Sequence, residues 1–253
     1  MNVLVCVKRV PLTGGKIVLT DDERAISTRH LGFTVSPHEE CGAEEAVRLI
    51  EQHGGSSTVL TLGPPEAEEQ LRDMMALGID RAVHLVTDPS EEWDPQATAN
   101  AIVEAIRSQP DPPDLILFGN ESADAGNYQV AIRVAHKLGL PVVTGVKAIA
   151  VEDGLRVRLE QEVPGGRDVY DVPMPAVVTV KEGLNLPRYP SVPGRLRAKR
   201  KPVEGATPTR PQPRLEMVRL VLPPGSGKQT EVLGNGADAA PAVVTVLREL
   251  GLV

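Results

Sequence analysis

Apolar positions in the first half of the chain recur with two alternating habits. Val3 to Val7 is a continuous apolar run, as in a strand covered on both faces. Thr58 to Leu62, Ala82 to Val86 and Leu115 to Phe118 repeat that character. Between these runs, Ala43, Ala46, Val47 and Ile50 follow the i, i+3, i+4, i+7 rule and predict a helix that Gly54 stops. Leu71, Met74 and Met75 mark a second helix, closed near Gly78. Asp94-Pro95 supplies the cap and first turn of a third, which buries Ala101, Ile102, Ala105 and Ile106. Val130, Val134, Ala135 and Leu138 predict a fourth, ended by Gly139. Strands and helices alternating at this spacing predict an α/β fold with a parallel sheet and right-handed crossovers. Such sheets bind ligands beyond the carboxyl ends of their strands.

The pattern changes after Pro141. Val146 to Val151 and Leu155 to Leu159 flank Glu152-Asp153-Gly154, a hairpin turn signal, and Gly165-Gly166 marks another reversal. With the apolar run Ala176 to Val180, this stretch reads as antiparallel strands added to the parallel sheet. From Lys181 to about Pro213 the chain is rich in Pro, Gly and basic residues and reads as an extended arm. Leu215 to Leu222 reads as a strand or extended segment, and Pro223 to Asp238 as loop. Val243, Val246, Leu247 and Leu250 predict a short closing helix, whose apolar face needs its own domain or a partner to lie against. The expected organisation is an α/β domain over 1–183, a loop and basic arm over 184–213, and a C-terminal extension over 214–253.

Composition narrows the function classes. A net charge of −7 and an aromatic content of 2% argue against a nucleic-acid binder. So few aromatic rings also leave little to wrap a flavin unaided, which hints at a shared site. The two cysteines, Cys6 and Cys41, form no CxxC and no metal-ligand spacing, so no metal is expected. No basic leader precedes Val3 and no apolar run approaches membrane-spanning length, so a cytoplasmic chain without membrane insertion is the expectation.

Two segments carry candidate chemistry. Ser36-Pro37-His38-Glu39 reads as a capping box, with Ser at the N-cap, Pro at the first helical position and Glu at the third. On its own it only starts a helix. Placed beside the end of the first strand, its free N–H groups favour a phosphate, although Glu39 competes for the same positive end. Gly119 to Val130 follows a buried strand and opens a helix; its small and polar residues suit a phosphate and a ribose as well as a plain loop. Gly225-Ser226-Gly227-Lys228 fails as a phosphate-binding loop, because Gln229 stands where Ser or Thr should hold magnesium. The basic run Arg195, Arg197, Lys199, Arg200 and Lys201 reads as a solvated arm or a docking arm, with Tyr189-Pro190-Ser191-Val192-Pro193 holding an apolar residue between prolines. The five histidines form no nucleophile arrangement, and no catalytic residues are assigned.

These residues carry a resemblance that spans nearly the whole chain. Val3 to Val10, Pro37 with Glu44 to Leu49, and Met75 to Ala82 are similar to blocks of electron-transfer flavoprotein beta subunits. The most specific match runs from Val157 to Thr179, with Glu160-Gln161-Glu162, Gly165-Gly166 and Met174 to Thr179. It continues through Asn185 to Pro193 into the basic run Arg195 to Lys201. The resemblance implies a Rossmann-like adenine-nucleotide-binding domain and a heterodimer with an alpha subunit. That subunit would hold most of an FAD, while beta carries AMP. The AMP-contacting positions would be Cys6, Ser36, Pro37, His38, Glu39, Leu62, Gly63, Gly119, Asp124, Asn127, Tyr128, Gln129 and Val130. Ser36 stands where the family commonly has Asn. Asp124 to Ala131 stands where the family commonly has several acidic residues with Asn-Gln-Thr-Gly; of this stretch, Asp124 and Gln129 match. Relatives that bifurcate electrons hold a second FAD in this pocket.

The resemblance further implies that Leu184 to Arg200 grips partner dehydrogenases, with Tyr189, Pro190, Val192, Pro193, Arg195, Arg197 and Lys199 as docking residues. Val192 falls where the family places an apolar anchor, worth roughly 1.5–3 kcal/mol when buried, or about ten- to a hundredfold in affinity. The implied activity is electron carriage from acyl-CoA-type dehydrogenases towards a quinone oxidoreductase, with no bond-making chemistry in this chain. A nucleotide sensor similar to the universal stress proteins is the competing reading; the arm from Leu184 to Lys201 has no use in it. A nucleotide-dependent ligase or pyrophosphatase is a third reading, for which Lys8 to Gly15 is a poor phosphate loop.

Overall fold

A computed structural model describes residues 1–15, 17–152, 154–224 and 231–253. Its elements follow in order: β1 (Asn2–Cys6), β2 (Val10–Pro11), β3 (Phe33–Thr34), α1 (Pro37–His53), β4 (Ser56–Gly63), α2 (Glu68–Leu77), β5 (Arg81–Val86), α3 (Pro95–Arg107), β6 (Leu115–Gly119), α4 (Val130–Leu138), β7 (Val142–Glu152), β8 (Arg156–Val163), β9 (Gly166–Pro173), β10 (Ala176–Val180), α5 (Val192–Ala198), β11 (Val203–Ala206) and α6 (Ala240–Glu249). The main sheet has nine strands in the order β11-β5-β4-β1-β6-β10-β7-β8-β9, and β2 pairs with β3 apart from it. The sheet is parallel from β11 through β7, and β8 and β9 add antiparallel strands.

Alternation along β1 decides how the layers assemble. Val3 and Val5 point to one face and pack with Ala43, Ala46, Val47 and Leu71 of α1 and α2. Leu4 and Cys6 point to the other and pack with Ile102, Ile106, Val134 and Ala135 of α3 and α4. Both faces are therefore covered, and β1 is apolar from Val3 to Cys6. Each fully buried aliphatic side chain contributes roughly 1.5–3 kcal/mol. The expected caps do their work: Asp94 Oδ1 accepts from Ala97 N at 2.7 Å, and Gly139 takes a left-handed φ of 70° that closes α4.

The structure departs from expectation at several points along the chain. Val7, read as strand, lies beyond the end of β1. Ala176 to Val180 is not part of an antiparallel addition: β10 inserts between β6 and β7 and is parallel to both. Turn residues report where a chain reverses but not which strand it finally joins, and here it returns to the sheet's middle. The arm from Lys181 to Pro213 is not wholly extended. Ser191 Oγ accepts from Gly194 N at 3.1 Å and caps α5, and β11 adds to the edge of β5. Leu215 to Leu222 forms no strand. Asp153 of the expected hairpin turn and Gly225-Ser226-Gly227-Lys228 lie outside the described residues. The closing helix α6 is present and none of its residues is buried. Among the described residues, no helix is long and apolar enough to cross a membrane.

Candidate nucleotide site

Parallel strands put their carboxyl ends on one edge of the sheet, and here β1, β4 and β6 end together. Cys6 sits level with Leu60 on one side and Phe118 on the other. Beyond them opens a cavity of about 340 Å³. Eight of the candidate residues line it: Cys6, Glu39, Leu62, Gly119, Asn127, Tyr128, Gln129 and Val130. Leu60, Ile102 and Phe118 give it an apolar wall.

The remaining candidates fall elsewhere. Ser36, Pro37, His38 and Asp124 line a second pocket of about 440 Å³ beneath the loop after β6, which Glu121 and Ser122 share with the first. Gly63 lines neither; its carbonyl accepts from Thr87 N at 3.0 Å and lies 3.2 Å from His84 Nε2. Tyr189 and Val192 are 97% and 73% exposed, on the loop before α5 and at its first turn. Pro190 is half-buried, and Pro193, Arg195, Arg197 and Lys199 are exposed around α5. Arg195 Nη1 lies 3.7 Å from Asp73 Oδ1 of α2.

Glu39 is the chemical centre of the cavity floor. Its carboxylate accepts from Lys8 N at 3.1 Å and from Ser36 N at 3.2 Å, so the acid occupies the mouth of its own helix. Burial pushes its pKa up to about 7, against the pull of these hydrogen bonds. Gly119 passes so close that an added Cβ would stand 2.7 Å from Glu39 Cγ, which explains a glycine at the end of β6. Burial, helped by Glu39, also pushes the Cys6 thiol well above its ordinary range, so Cys6 is a neutral wall residue and no nucleophile.

The loop over the cavity is tied down at Asp124 and Glu121. Lys8 Nζ meets both oxygens of Asp124 at 2.8 and 2.7 Å. Burial raises the Asp124 pKa, but the ammonium and its hydrogen bonds outweigh that and hold it below the usual carboxylate range. His38 Nδ1 accepts from Glu182 N at 2.7 Å, which leaves the ring proton on Nε2, 3.5 Å from Glu121 Oε1. Tyr128, at the cavity mouth, adopts a φ of 55°, a strained value for a residue with a side chain.

Sequence reasoning missed Lys8, Thr87, Trp93 and Thr98, which also line the cavity. Trp93 Nε1 is buried and, among the described residues, has no hydrogen-bond partner. A signal existed, since Trp93 directly precedes the predicted cap Asp94. Among the described residues, no group of three or more His, Cys, Asp or Glu is placed to hold a metal.

Comparison with known proteins agrees with this architecture. Residues 25–211 match the family described as "Electron transfer flavoprotein domain". The electron transfer flavoprotein subunit beta of Bacillus subtilis is 34% identical over 98% of this chain and 98% of its own length. That of Syntrophomonas wolfei is 35% identical over 88% and 86%. Protein FixA of Azorhizobium caulinodans is 33% identical over 79% of this chain and 73% of its own.

Proposed function

The chain belongs to the electron transfer flavoprotein family, among its beta subunits, and from that premise we propose that it is the nucleotide-binding half of a heterodimer with an alpha subunit. In this reading it carries electrons from acyl-CoA-type dehydrogenases towards a quinone oxidoreductase and makes no bonds itself. The observation that carries it is the pair of surfaces left without cover: α6, none of whose residues is buried, and the loop bearing Tyr189 and Val192. A self-contained nucleotide sensor has no use for either. In the proposal the C-terminal extension, 214–253, lies on the alpha subunit.

The cavity fits a mononucleotide. At about 340 Å³ it stands at the small end of ligand pockets, too small for a whole FAD. Trp93 Nε1 offers a buried donor with no partner among the described residues, which a ribose or base acceptor would satisfy. At Gln129, Val130 and Ala131 the first turn of α4 meets the cavity, where helix N–H groups have no partner within the helix and suit a phosphate. Glu39, Glu91 and Glu121 are acidic against the single ammonium of Lys8, so backbone dipoles rather than side-chain cations would hold that phosphate. AMP is therefore the proposed occupant, held by Cys6, Leu62, Trp93 and Gly119 to Val130. FAD, held mainly by the alpha subunit, would supply the redox chemistry of the shared site. This chain's part is to position, to exclude water and to dock.

Co-expression tests the reading. The isolated chain should be colourless, and the complex with an alpha subunit yellow, with about one FAD per pair. Mass spectrometry of the released nucleotides should find AMP beside FAD. A strongly yellow isolated chain, or a chain that ignores the alpha subunit, overturns it.

A further inference from the structure

The loop before α5 exposes large apolar side chains, yet its backbone is held by charge. Arg188 Nε and Nη2 donate to the two oxygens of Glu44 at 2.9 and 3.0 Å. Its Nη1 and Nη2 donate to the two oxygens of Glu51 at 2.7 and 2.9 Å. The Arg188 backbone N–H also donates to Glu44 Oε2, at 3.1 Å. Glu44 and Glu51 stand two turns apart on α1, so one guanidinium spans two rungs of the helix. The Glu44 side chain is only 5% exposed, which shields this pair from the screening that weakens surface ion pairs.

Other ties fix the same segment. Asn185 Nδ2 donates to Cys41 O at 3.0 Å and to Glu45 Oε2 at 2.8 Å. Gly194 lies against α2, where an added Cβ would stand 2.5 Å from Ala76 O, and Arg72 Nη1 donates to Ala198 O at 2.8 Å. Along the chain between and beside these ties, Leu186 is 91% exposed, Tyr189 97%, Val192 73% and Leu196 57%. Apolar side chains left free on a slack loop would fold back onto the protein. Here the ties hold them outward, and an ordered loop loses less entropy when a partner covers it.

We propose that Arg188 is the positioning residue that pre-orders this apolar surface, formed by Leu186, Tyr189, Val192 and Leu196, for an electron-donor flavoprotein. The inference rests on the docking role under Proposed function and adds the device that makes the surface rigid. Lysine cannot replace Arg188, because a single ammonium does not fork across two carboxylates.

The test uses the heterodimer with Arg188→Gln, Arg188→Lys and Val192→Ala, and a medium-chain acyl-CoA dehydrogenase with octanoyl-CoA as donor. Amide hydrogen exchange over 184–191 should quicken at least tenfold in R188Q, less in R188K, and not at all in V192A. The KM for the dehydrogenase should rise in R188Q and V192A, with kcat and FAD content unchanged. Unchanged exchange in R188Q overturns the inference whatever the donor. A KM that rises in V192A but not in R188Q also overturns it and leaves the docking role standing. A KM unmoved in V192A, with faster exchange in R188Q, sinks the docking role and leaves Arg188 only a loop tie.

Discussion

Lys8 and Asp124 stand 116 residues apart in sequence, yet the lysine ammonium reaches both carboxylate oxygens, at 2.8 and 2.7 Å. The pair fastens the chain leaving β1 to the loop that follows β6. Both side chains keep partial contact with solvent, so the pair contributes under about 1 kcal/mol to stability. In the proposed nucleotide-bound state, the pair holds the loop over the ligand. Asp124→Asn should barely shift the melting temperature at pH 7 and should weaken nucleotide retention by up to about fivefold, read by equilibrium dialysis. Because the folded Asp124 titrates below its ordinary value of 3.8, the pair's stabilisation is present above that value and is lost as pH falls through the lower folded one.

Glu39 has the opposite sign. Its pKa rises from 4.5 to about 7 on folding, so the folded state holds the proton more tightly than the unfolded chain. Stability therefore falls as pH climbs from 4.5 to about 7, and the cost is fully present above that range. The span corresponds to about 3 kcal/mol at most. Glu39→Gln removes the titration and keeps an acceptor for the Lys8 and Ser36 N–H groups. The difference in melting temperature between E39Q and wild type should grow in favour of the variant between pH 5 and 8, as thermal melts across that range will read. A difference independent of pH would mean that Glu39 is not buried as described.

Much of this fold is legible in the sequence, and the reasons are local. Val3, Leu4 and Val5 are all apolar because β1 is covered on both faces, and Ala43, Ala46 and Val47 keep helical spacing because α1 is covered on one. Where the outcome depends on distant partners, the sequence is silent. The place of β10 between β6 and β7 follows from pairing with strands well before it in the sequence, which no turn residue records. The helix α5 hides in a Pro- and Gly-rich stretch, although Ser191 and Pro193 form a readable cap. The site divides likewise. Gly119 to Val130 stands out as a loop after a strand, whereas Lys8 and Trp93 reach the cavity only because β1 and the chain before α3 converge on it.

The end of β6 tolerates nothing larger than glycine. Gly119→Ala would place a Cβ 2.7 Å from Glu39 Cγ and 3.3 Å from both Glu39 N and His38 Cβ, so the first turn of α1 must give way. Overpacking of this kind costs about 1–3 kcal/mol. The melting temperature should drop accordingly. Nucleotide retention should drop with it, because the displaced Glu39 forms part of the cavity floor. A Gly119→Ala protein that melts like wild type would place the loop farther from α1 than described.

Trp93 separates a ligand site from an ordinary core gap. Its indole Nε1 is buried and bonded to nothing among the described residues, and an unsatisfied donor costs about 1–3 kcal/mol. Trp93→Phe removes that donor and keeps an aromatic ring in the wall. Without nucleotide, the donor's removal offsets the smaller ring's lost packing, and the melting temperature should stay near that of wild type. With nucleotide, the hydrogen bond to the ligand is gone and no water easily replaces it beside Leu60, Ile102 and Phe118. Retention should then fall by roughly fivefold to tenfold, the equivalent of one lost hydrogen bond. Melting curves recorded with and without added AMP will read both halves at once. Equal stabilisation of wild type and variant by AMP would show that the orphan N–H does not face the ligand.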